Sequence, residues 1–148
     1  MTDRSAKPMS AETQALLRRP NFAHLATLRA DGSPKLDPIW LDVADETTVV
    51  MATGINSLKS QNILRDPRVA ISVIDMHNPY EEAQLRGTAV VEPDSGMAIM
   101  DAISHKYTGK PFPMRDNMAD RVVLRVTVTH SRYASLPFDH TPPAAGDR

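Results

Sequence analysis

The chain has 148 residues, a hydrophobic fraction of 41% and a net charge of −1, which together indicate one globular domain with a core of its own. The balanced charge argues against nucleic acid as a partner, and the absence of cysteine excludes disulfides, thiolate metal sites and thiol nucleophiles. No apolar run reaches membrane-spanning length and the N-terminus lacks a signal-peptide core, so we expect a cytoplasmic protein that does not contact membranes.

Short apolar stretches separated by turn signals run through the chain, a pattern typical of a mainly β protein with few helices. Residues 1–9 are predicted to form a flexible arm, residues 10–135 one domain, and residues 136–148 an extended or flexible tail rich in Pro, Ala and charge. The predicted elements, in chain order, are a helix from Ser10 to Arg18, strands over Phe22–Leu28 and Lys35–Val43, a turn over Asp42–Glu46, a strand over Thr47–Thr53, a helix over Leu58–Arg65, strands over Val69–Asp75 and Glu82–Glu92, a helix from Asp94 to Tyr107, and a strand over Arg121–Arg132.

Turn-forming residues give further detail. Asp31-Gly32 is the strongest turn signal in the chain and joins the first two strands as a hairpin. Pro34 and Pro38 predict that the second strand is an edge strand or carries a bulge, and Gly87 predicts a bend or bulge in a longer strand. The pattern predicts a mainly β (α+β) fold of about six antiparallel strands with short peripheral helices, either a small barrel or a sandwich.

The segment from Met51 to Lys59 passes from a β-branched strand into a helix and is the most informative stretch of the chain. Either Asn56 or Ser57 can serve as the helix N-cap, and the first backbone N–H groups of the helix then lack partners. Lys59 stands in this first turn, where a cation opposes the helix dipole by roughly 0.3–1 kcal/mol. A bound anion such as phosphate would reverse the sign of that effect, whereas a lysine that points into solvent needs no ligand.

The segment from Asp37 to Trp40 is the second candidate for a binding role. Trp40 is the only tryptophan, and packing in the core is the ordinary role of so large a ring. Alternatively, Pro38 interrupts the pairing of its strand, which leaves main-chain groups and Trp40 to face a flat ring. A phosphorylated heteroaromatic cofactor fits these two segments. Its phosphate would bind at Ser57 to Lys59, and its ring would lie over the start of the helix and the paired strands.

The remaining polar residues show no pattern for metal or covalent chemistry. Gly-x-Ser-x-Gly, P-loop and GxGxxG elements are all absent from the sequence. The histidines lack the i,i+4 spacing and nearby carboxylates of a metal site, and they are His24, His77, His105, His130 and His140. We therefore predict no metal site and assign no catalytic side chain.

Several short motifs occur in an order that resembles a known family. Taken together they resemble the flavin/deazaflavin oxidoreductases with the pyridoxamine-5'-phosphate-oxidase-like split β-barrel, and are most similar to the branch that uses the deazaflavin coenzyme F-420. The resemblance covers about Pro20 to Tyr133. The motifs are Ala26–Pro34, Pro38–Trp40, Ser57–Val69, Arg86–Ala89, Lys106–Gly109 and Arg121–Val126.

The resemblance implies a homodimeric split barrel of the FMN-binding type, with two cofactor sites at the interface between the subunits. It implies that Lys59 grips the cofactor phosphate with help from Ser57 and the backbone N–H of Leu58. It also implies that Tyr80 reaches the site from the other subunit. Two strand segments are expected to contact the ring: Asp37, Pro38, Ile39 and Trp40 in the first, and Met51, Ala52 and Thr53 in the second.

The activity implied by the resemblance is that of a reductase. It would use deazaflavin coenzyme F-420 to transfer a hydride to an electron-poor double bond of a small organic substrate. Solvent is the expected proton source, and Tyr80 or Tyr107 is the second choice. The chain has fewer arginines near the phosphate than the flavin-dependent vitamin oxidases and lacks their C-terminal substrate motif, which argues against pyridoxamine phosphate as substrate. An FMN-dependent oxidoreductase and a non-catalytic deazaflavin carrier remain as alternatives.

Overall fold

The computed structural model describes residues 5–146, and within them the chain forms seven strands and three α-helices. Single 3-10 turns over Ser95–Met97 and Met118–Asp120 lead into the third helix and the last strand. In chain order the elements are α1 (Ala11–Arg18), β1 (Ala23–Leu28), β2 (Pro34–Ile39), β3 (Asp42–Asp45), β4 (Thr48–Gly54), α2 (Leu58–Arg65), β5 (Arg68–Ile74), β6 (Glu81–Pro93), α3 (Ala98–Thr108) and β7 (Arg121–Ser135).

The seven strands form one antiparallel sheet in the order β2-β1-β5-β6-β7-β4-β3. The two long strands β6 and β7 occupy its middle, and each pairs with the other and with one shorter strand. Buried side chains from both halves of the sheet belong to one hydrophobic cluster, so the sheet coils around its main core. Its members include Leu25, Val49, Met51, Ile71, Val73, Leu85, Leu124 and Val126.

The strand predicted over Lys35–Val43 is two strands, so the sheet has seven strands where about six were expected. β2 pairs with β1 and β3 pairs with β4, and these two strands are the opposite edges of the sheet. The chain crosses between the edges at Trp40 and Leu41, soon after Pro38, which has no N–H for a further ladder bond. The turn predicted over Asp42–Glu46 is therefore mostly strand β3, whereas the edge position inferred from the prolines is confirmed.

The predicted starts of the first two helices are confirmed by their caps, whereas the helix predicted from Asp94 begins at Ala98, after a 3-10 turn. In α1 the Ser10 hydroxyl accepts a hydrogen bond from Thr13 N at 3.1 Å. In α2 the predicted bounds Leu58–Arg65 are those observed, and Ser57 rather than Asn56 is the N-cap. Caps of this kind are worth about 1 kcal/mol each because they satisfy a backbone donor that the helix leaves free.

The bulge predicted at Gly87 is also confirmed. The register between β6 and β7 shifts by one residue between Arg86 and Gly87. A Cβ atom at Gly87 would lie 2.0 Å from the backbone oxygen of Thr127, so only glycine allows this approach of the two strands.

α3 packs on the outer face of β4 and β7, opposite the main core. The Asp94 carboxylate caps this helix by accepting hydrogen bonds from Ile99 N at 3.0 Å and Met100 N at 2.9 Å. At the other end, the Lys106 ammonium donates to the backbone oxygens of Leu17 and Leu41 at 2.6 and 2.7 Å. Burial lowers the pKa of Lys106, and Asp42 opposes that shift. The hydrophobic cluster under α3 contains Val50, Met97, Met100, Ile103 and Val123.

The two ends of the chain run along the domain. In the predicted arm, residues 1–4 lie outside the described residues, Lys7 N donates to Val128 O at 2.9 Å, and the Met9 side chain is buried in the core. In the predicted tail, Leu136 N donates to Tyr80 O at 2.9 Å, and residues 147–148 lie outside the described residues. The flexibility expected of the arm and tail stays a prediction.

Candidate functional site

A cavity of about 460 Å³ lies where the start of α2 meets α3 and the beginning of β7. Its volume falls in the range of small-molecule and cofactor sites. One end is cationic and the other is apolar and aromatic. Its lining residues are Phe22, Pro38, Ile39, Trp40, Ala52, Thr53, Lys59, Met100, Ile103, Phe112, Met114 and Arg121.

The cationic end begins at the first turn of α2. Ser60 N donates to the Ser57 hydroxyl at 3.2 Å, and Gln61 N makes the first helical bond, to Ser57 O at 3.1 Å. The backbone N–H groups of Leu58 and Lys59 precede these bonds and are available to a ligand. Acidic residues are absent from this turn, and Lys59 has no ion pair within residues 5–146. The first turn of α2 therefore offers backbone N–H donors and the positive charge of Lys59 to the same ligand.

Arg121 supplies the second positive charge of the cavity, and the sequence motifs gave it no role. Its Nη2 donates to the sulfur of Met100 at 3.2 Å, and its guanidinium lies over the Phe112 ring at 5.1 Å from the centroid. Its Nε is buried and has no hydrogen-bond partner among the described residues. The register of β7 with β4 could have pointed to it, because Arg121 pairs with Gly54, just before the α2 turn.

Three carboxylates on the elements around this end of the cavity are already engaged. Asp94 caps α3 with both oxygens. Asp101 accepts from Arg115 at 2.7 and 3.2 Å, and this hydrogen bonding holds the pKa of Asp101 below its usual value. Glu92 accepts from Arg125 at 3.0 Å. The lining of the cavity contains no carboxylate, so its two cations are compensated by no side chain of the wall.

The aromatic end is organised by Tyr107 of α3. The Trp40 and Tyr107 rings are stacked, with centroids 5.0 Å apart and planes 8° apart, and Trp40 also lines the cavity. The Tyr107 hydroxyl donates to Asn21 O at 2.5 Å and accepts from Leu41 N at 3.3 Å. Burial raises the pKa of Tyr107, so this hydroxyl stays protonated. Trp40 therefore packs on Tyr107 and also borders the cavity, and its contact with a cofactor ring stays a prediction.

Most of the predicted cofactor residues lie together at this cavity. Six of them line it, namely Pro38, Ile39, Trp40, Ala52, Thr53 and Lys59, and Ser57 and Leu58 adjoin it at the start of α2. Met51 is fully buried in the main core and does not line it. Asp37 lies on the adjoining strand, bonded to Lys35 Nζ at 2.5 Å, with its Oδ2 buried and unpartnered among the described residues. The Tyr80 ring lies elsewhere, 5.3 Å from the Phe138 ring.

A second cavity, of about 490 Å³, lies on strands β1, β2, β5, β6 and β7. It includes His24 and His130 among its lining residues, and His130 Nδ1 is 3.0 Å from the Thr129 hydroxyl. Within residues 5–146 no three His, Cys, Asp or Glu side chains converge as metal ligands would. Over the same residues, no helix is long and apolar enough to cross a membrane.

Comparisons with known proteins agree with this architecture. A family model described as "Pyridoxamine 5'-phosphate oxidase" matches residues 9–135. The chain is similar to the solved structure of an F-420 reductase, with 33% identity over 80% of this chain and 94% of that one, and a TM-score of 0.74. It is also similar to the structure of a conserved hypothetical protein from Mycobacterium tuberculosis, with 25% identity over 97% of this chain and 99% of that one, and a TM-score of 0.72.

Among curated proteins, a pyridoxine/pyridoxamine 5'-phosphate oxidase of Crocosphaera subtropica is 36% identical over 78 residues. That match covers 52% of this chain and 36% of the oxidase, so it spans about a third of the curated relative's length. The family and the mainly β split-barrel fold expected from the motifs are confirmed, while the homodimer stays a prediction. The chain therefore belongs to the pyridoxamine 5'-phosphate oxidase family and has its split-barrel fold.

Proposed function

We propose that the protein is a deazaflavin (coenzyme F-420)-dependent reductase that transfers a hydride to an electron-poor double bond of a small organic substrate. The observation that carries the proposal is the cavity itself, in which Lys59 at the start of α2 and Trp40 at the end of β2 line one space. The 33% identity to an F-420 reductase over most of both chains supports the deazaflavin over other cofactors.

The residues of the cavity fit a phosphorylated, flat, ring-containing cofactor. Lys59, the neighbouring N–H groups of α2 and the guanidinium of Arg121 are donors suited to a phosphate. Trp40 offers aromatic surface in the same cavity, which suits a flat ring, and the Phe112 ring beside Arg121 adds to it. The proposal also includes a homodimer, in which the partner subunit contributes Tyr80 to the site. It further includes a cytoplasmic location.

Bound in its reduced form, the deazaflavin supplies a hydride from a ring carbon and reacts poorly with oxygen. The protein's side chains would hold and orient the two reactants, and the apolar wall of Met100, Ile103 and Phe112 would exclude water. None of the lining residues is a carboxylate, histidine or tyrosine, and the Tyr107 hydroxyl is engaged with Asn21 O. We therefore assign the proton that completes the reduction to solvent. The expected acceptors are conjugated enones, imines or tetrapyrrole bridges.

An FMN-dependent oxidoreductase is the second candidate. The family match and the identity to a pyridoxine/pyridoxamine 5'-phosphate oxidase over half of this chain favour it. The same donors would hold the FMN phosphate, so the phosphate site does not distinguish the two cofactors. A non-catalytic deazaflavin carrier is the third possibility and would bind without turnover.

Titration of the purified protein with F-420 and with FMN separates these candidates. Trp40 is the only tryptophan and lines the cavity, so quenching of its emission reports binding directly. The proposal predicts tighter binding of F-420, followed by oxidation of reduced F-420 when an enone or quinone is added. Preferential binding of FMN, or F-420 binding without turnover across a broad panel of acceptors, would contradict it.

A further inference from the structure

We infer that Arg121 is a second binding residue for the ligand's phosphate and acts together with Lys59 across the same cavity. This inference deepens the proposed function and rests on it. The two residues come from separate elements, the start of β7 and the first turn of α2, and both line the cavity.

The hydrogen bonding of Arg121 within its own chain is incomplete. Guanidinium has five N–H donors in a fixed planar fork and carries its charge at all physiological pH values. Here one donor meets a sulfur, which is a weak acceptor, and the buried Nε meets nothing among the described residues. A buried charged donor without an acceptor is costly. Because the Nε atom is itself closed off from solvent, the part of Arg121 offered to a ligand in the cavity is the remainder of its guanidinium.

The geometry of the backbone brings Arg121 toward the α2 turn. Gly54 and Arg121 are paired residues of β4 and β7, and Ile55 N donates to Asp120 O at 2.8 Å. The turn that leads to the Ser57 cap therefore starts beside Arg121. An anion bound by the first backbone N–H groups of α2 would therefore lie in a cavity whose wall contains both Lys59 and Arg121.

Two carboxylates near Arg121 are already engaged. Asp94 and Glu92 each line a smaller cleft that Arg121 also borders, and each one accepts hydrogen bonds from another group. Two uncompensated cations in one cavity favour an anionic phosphate group, because each of its non-bridging oxygens can accept charge-assisted hydrogen bonds. The planar fork of Arg121 adds directional bonds that the ammonium of Lys59 does not provide.

The alternative is that Arg121 only packs on Phe112 and Met100. The test therefore compares ligands that share a ring and differ only in the phosphate: FMN with riboflavin, and the 5'-phosphate of the deazaflavin chromophore with the chromophore itself. Dissociation constants are measured for the wild type, Arg121→Met and Arg125→Met. Arg125 is the matched control because it lies on the same strand and is paired with Glu92 outside the cavity.

Arg121→Met is expected to weaken binding of the phosphorylated ligand by roughly 10- to 100-fold while the phosphate-free ligand changes little. Arg125→Met should leave both unchanged. An equal loss for both ligands would assign Arg121 to packing, and unchanged affinity for the phosphorylated ligand would exclude it from the site. Either result overturns the inference.

The failure of the proposed function is recognised separately. If the wild type binds neither F-420 nor FMN, the proposed function fails and pyrophosphate alone becomes the probe. The side-chain Nε–Hε resonance of Arg121 is then followed by NMR as pyrophosphate is added. A saturable shift that Lys59→Met weakens supports the inference, and a resonance that does not move overturns it.

Discussion

The indole of Trp40 lies flat against the ring of Tyr107, with 5.0 Å between the centroids and 8° between the planes. This stack joins the crossing between β2 and β3 to α3, and it places Trp40 in the wall of the cavity. The Tyr107 hydroxyl fixes the pair by donating to Asn21 O. Tyr107 is therefore a positioning residue for the aromatic end of the site.

Substitutions at Tyr107 separate its ring from its hydroxyl. Tyr107→Phe keeps the stack and should cost about 1–3 kcal/mol of unfolding free energy, because the Asn21 carbonyl loses its donor. Tyr107→Ala removes the stack as well and should shift Trp40 emission to the red and weaken cofactor binding. Urea denaturation and fluorescence titration measure the two effects. An unshifted Trp40 spectrum in Tyr107→Ala would show that the stack does not hold the indole.

Lys59→Met should change stability and binding in opposite directions. Removing a cation from the first turn of α2 is expected to raise the free energy of unfolding by about 0.3–1 kcal/mol, because the positive end of the helix dipole is relieved. Loss of a charge-assisted contact should weaken F-420 binding by roughly tenfold or more.

The control for Lys59 is Lys110→Met, because Lys110 is exposed and does not line the cavity. Lys110→Met should change neither the free energy of unfolding nor the affinity for F-420 appreciably. A Lys59→Met protein that binds F-420 as tightly as the wild type would remove Lys59 from the phosphate site.

Gly87→Ala should destabilise the sheet strongly. The added methyl group would lie 2.0 Å from Thr127 O, so the central β6–β7 pairing must open. We expect a loss of about 3 kcal/mol or more in urea denaturation, at the upper end of overpacking effects. Gly54→Ala is the control, because its Cβ would have no atom within 4 Å. Equal stability of the two variants would contradict the bulge geometry.

The pKa of Asp66 should be about 2, well below 3.8, because Arg68 donates to its carboxylate. A carboxyl group with a lowered folded-state pKa stabilises the fold above about pH 4, and that contribution disappears as the pH falls toward 2. NMR titration of the Asp66 carboxyl carbon measures this value. In Arg68→Ala the pKa should return toward 3.8, and a value that stays near 2 would assign the shift to another cause.

Local patterns in the sequence were sufficient for the elements that depend on nearby residues. The bounds of α2 follow from the Ser57 cap and the Asp66-Pro67 stop, and the bulge follows from a glycine within a long strand. The sequence also predicts that the Lys59 and Trp40 segments belong to one candidate site. The signals are a lysine in the first turn of a helix and a strand interrupted by Pro38, and both segments line one cavity.

Features that depend on distant pairing were not visible in the sequence. The division of β2 from β3 arises because one stretch of chain pairs with two different strands, and periodicity does not distinguish that from one strand. The side chain of Met51 is fully buried in the main core, and the contact of this residue with the ring stays a prediction. Arg121 joins the site only through the register of β7 with β4, which no local signal encodes.

The most direct measurement is a crystal structure of the protein with F-420 bound. The account predicts the phosphate at the start of α2, within hydrogen-bond distance of Lys59 and the Leu58 N–H, and the deazaflavin ring beside Trp40. A phosphate held away from α2, with this turn contacting only solvent, would contradict the cofactor assignment and the reductase activity with it.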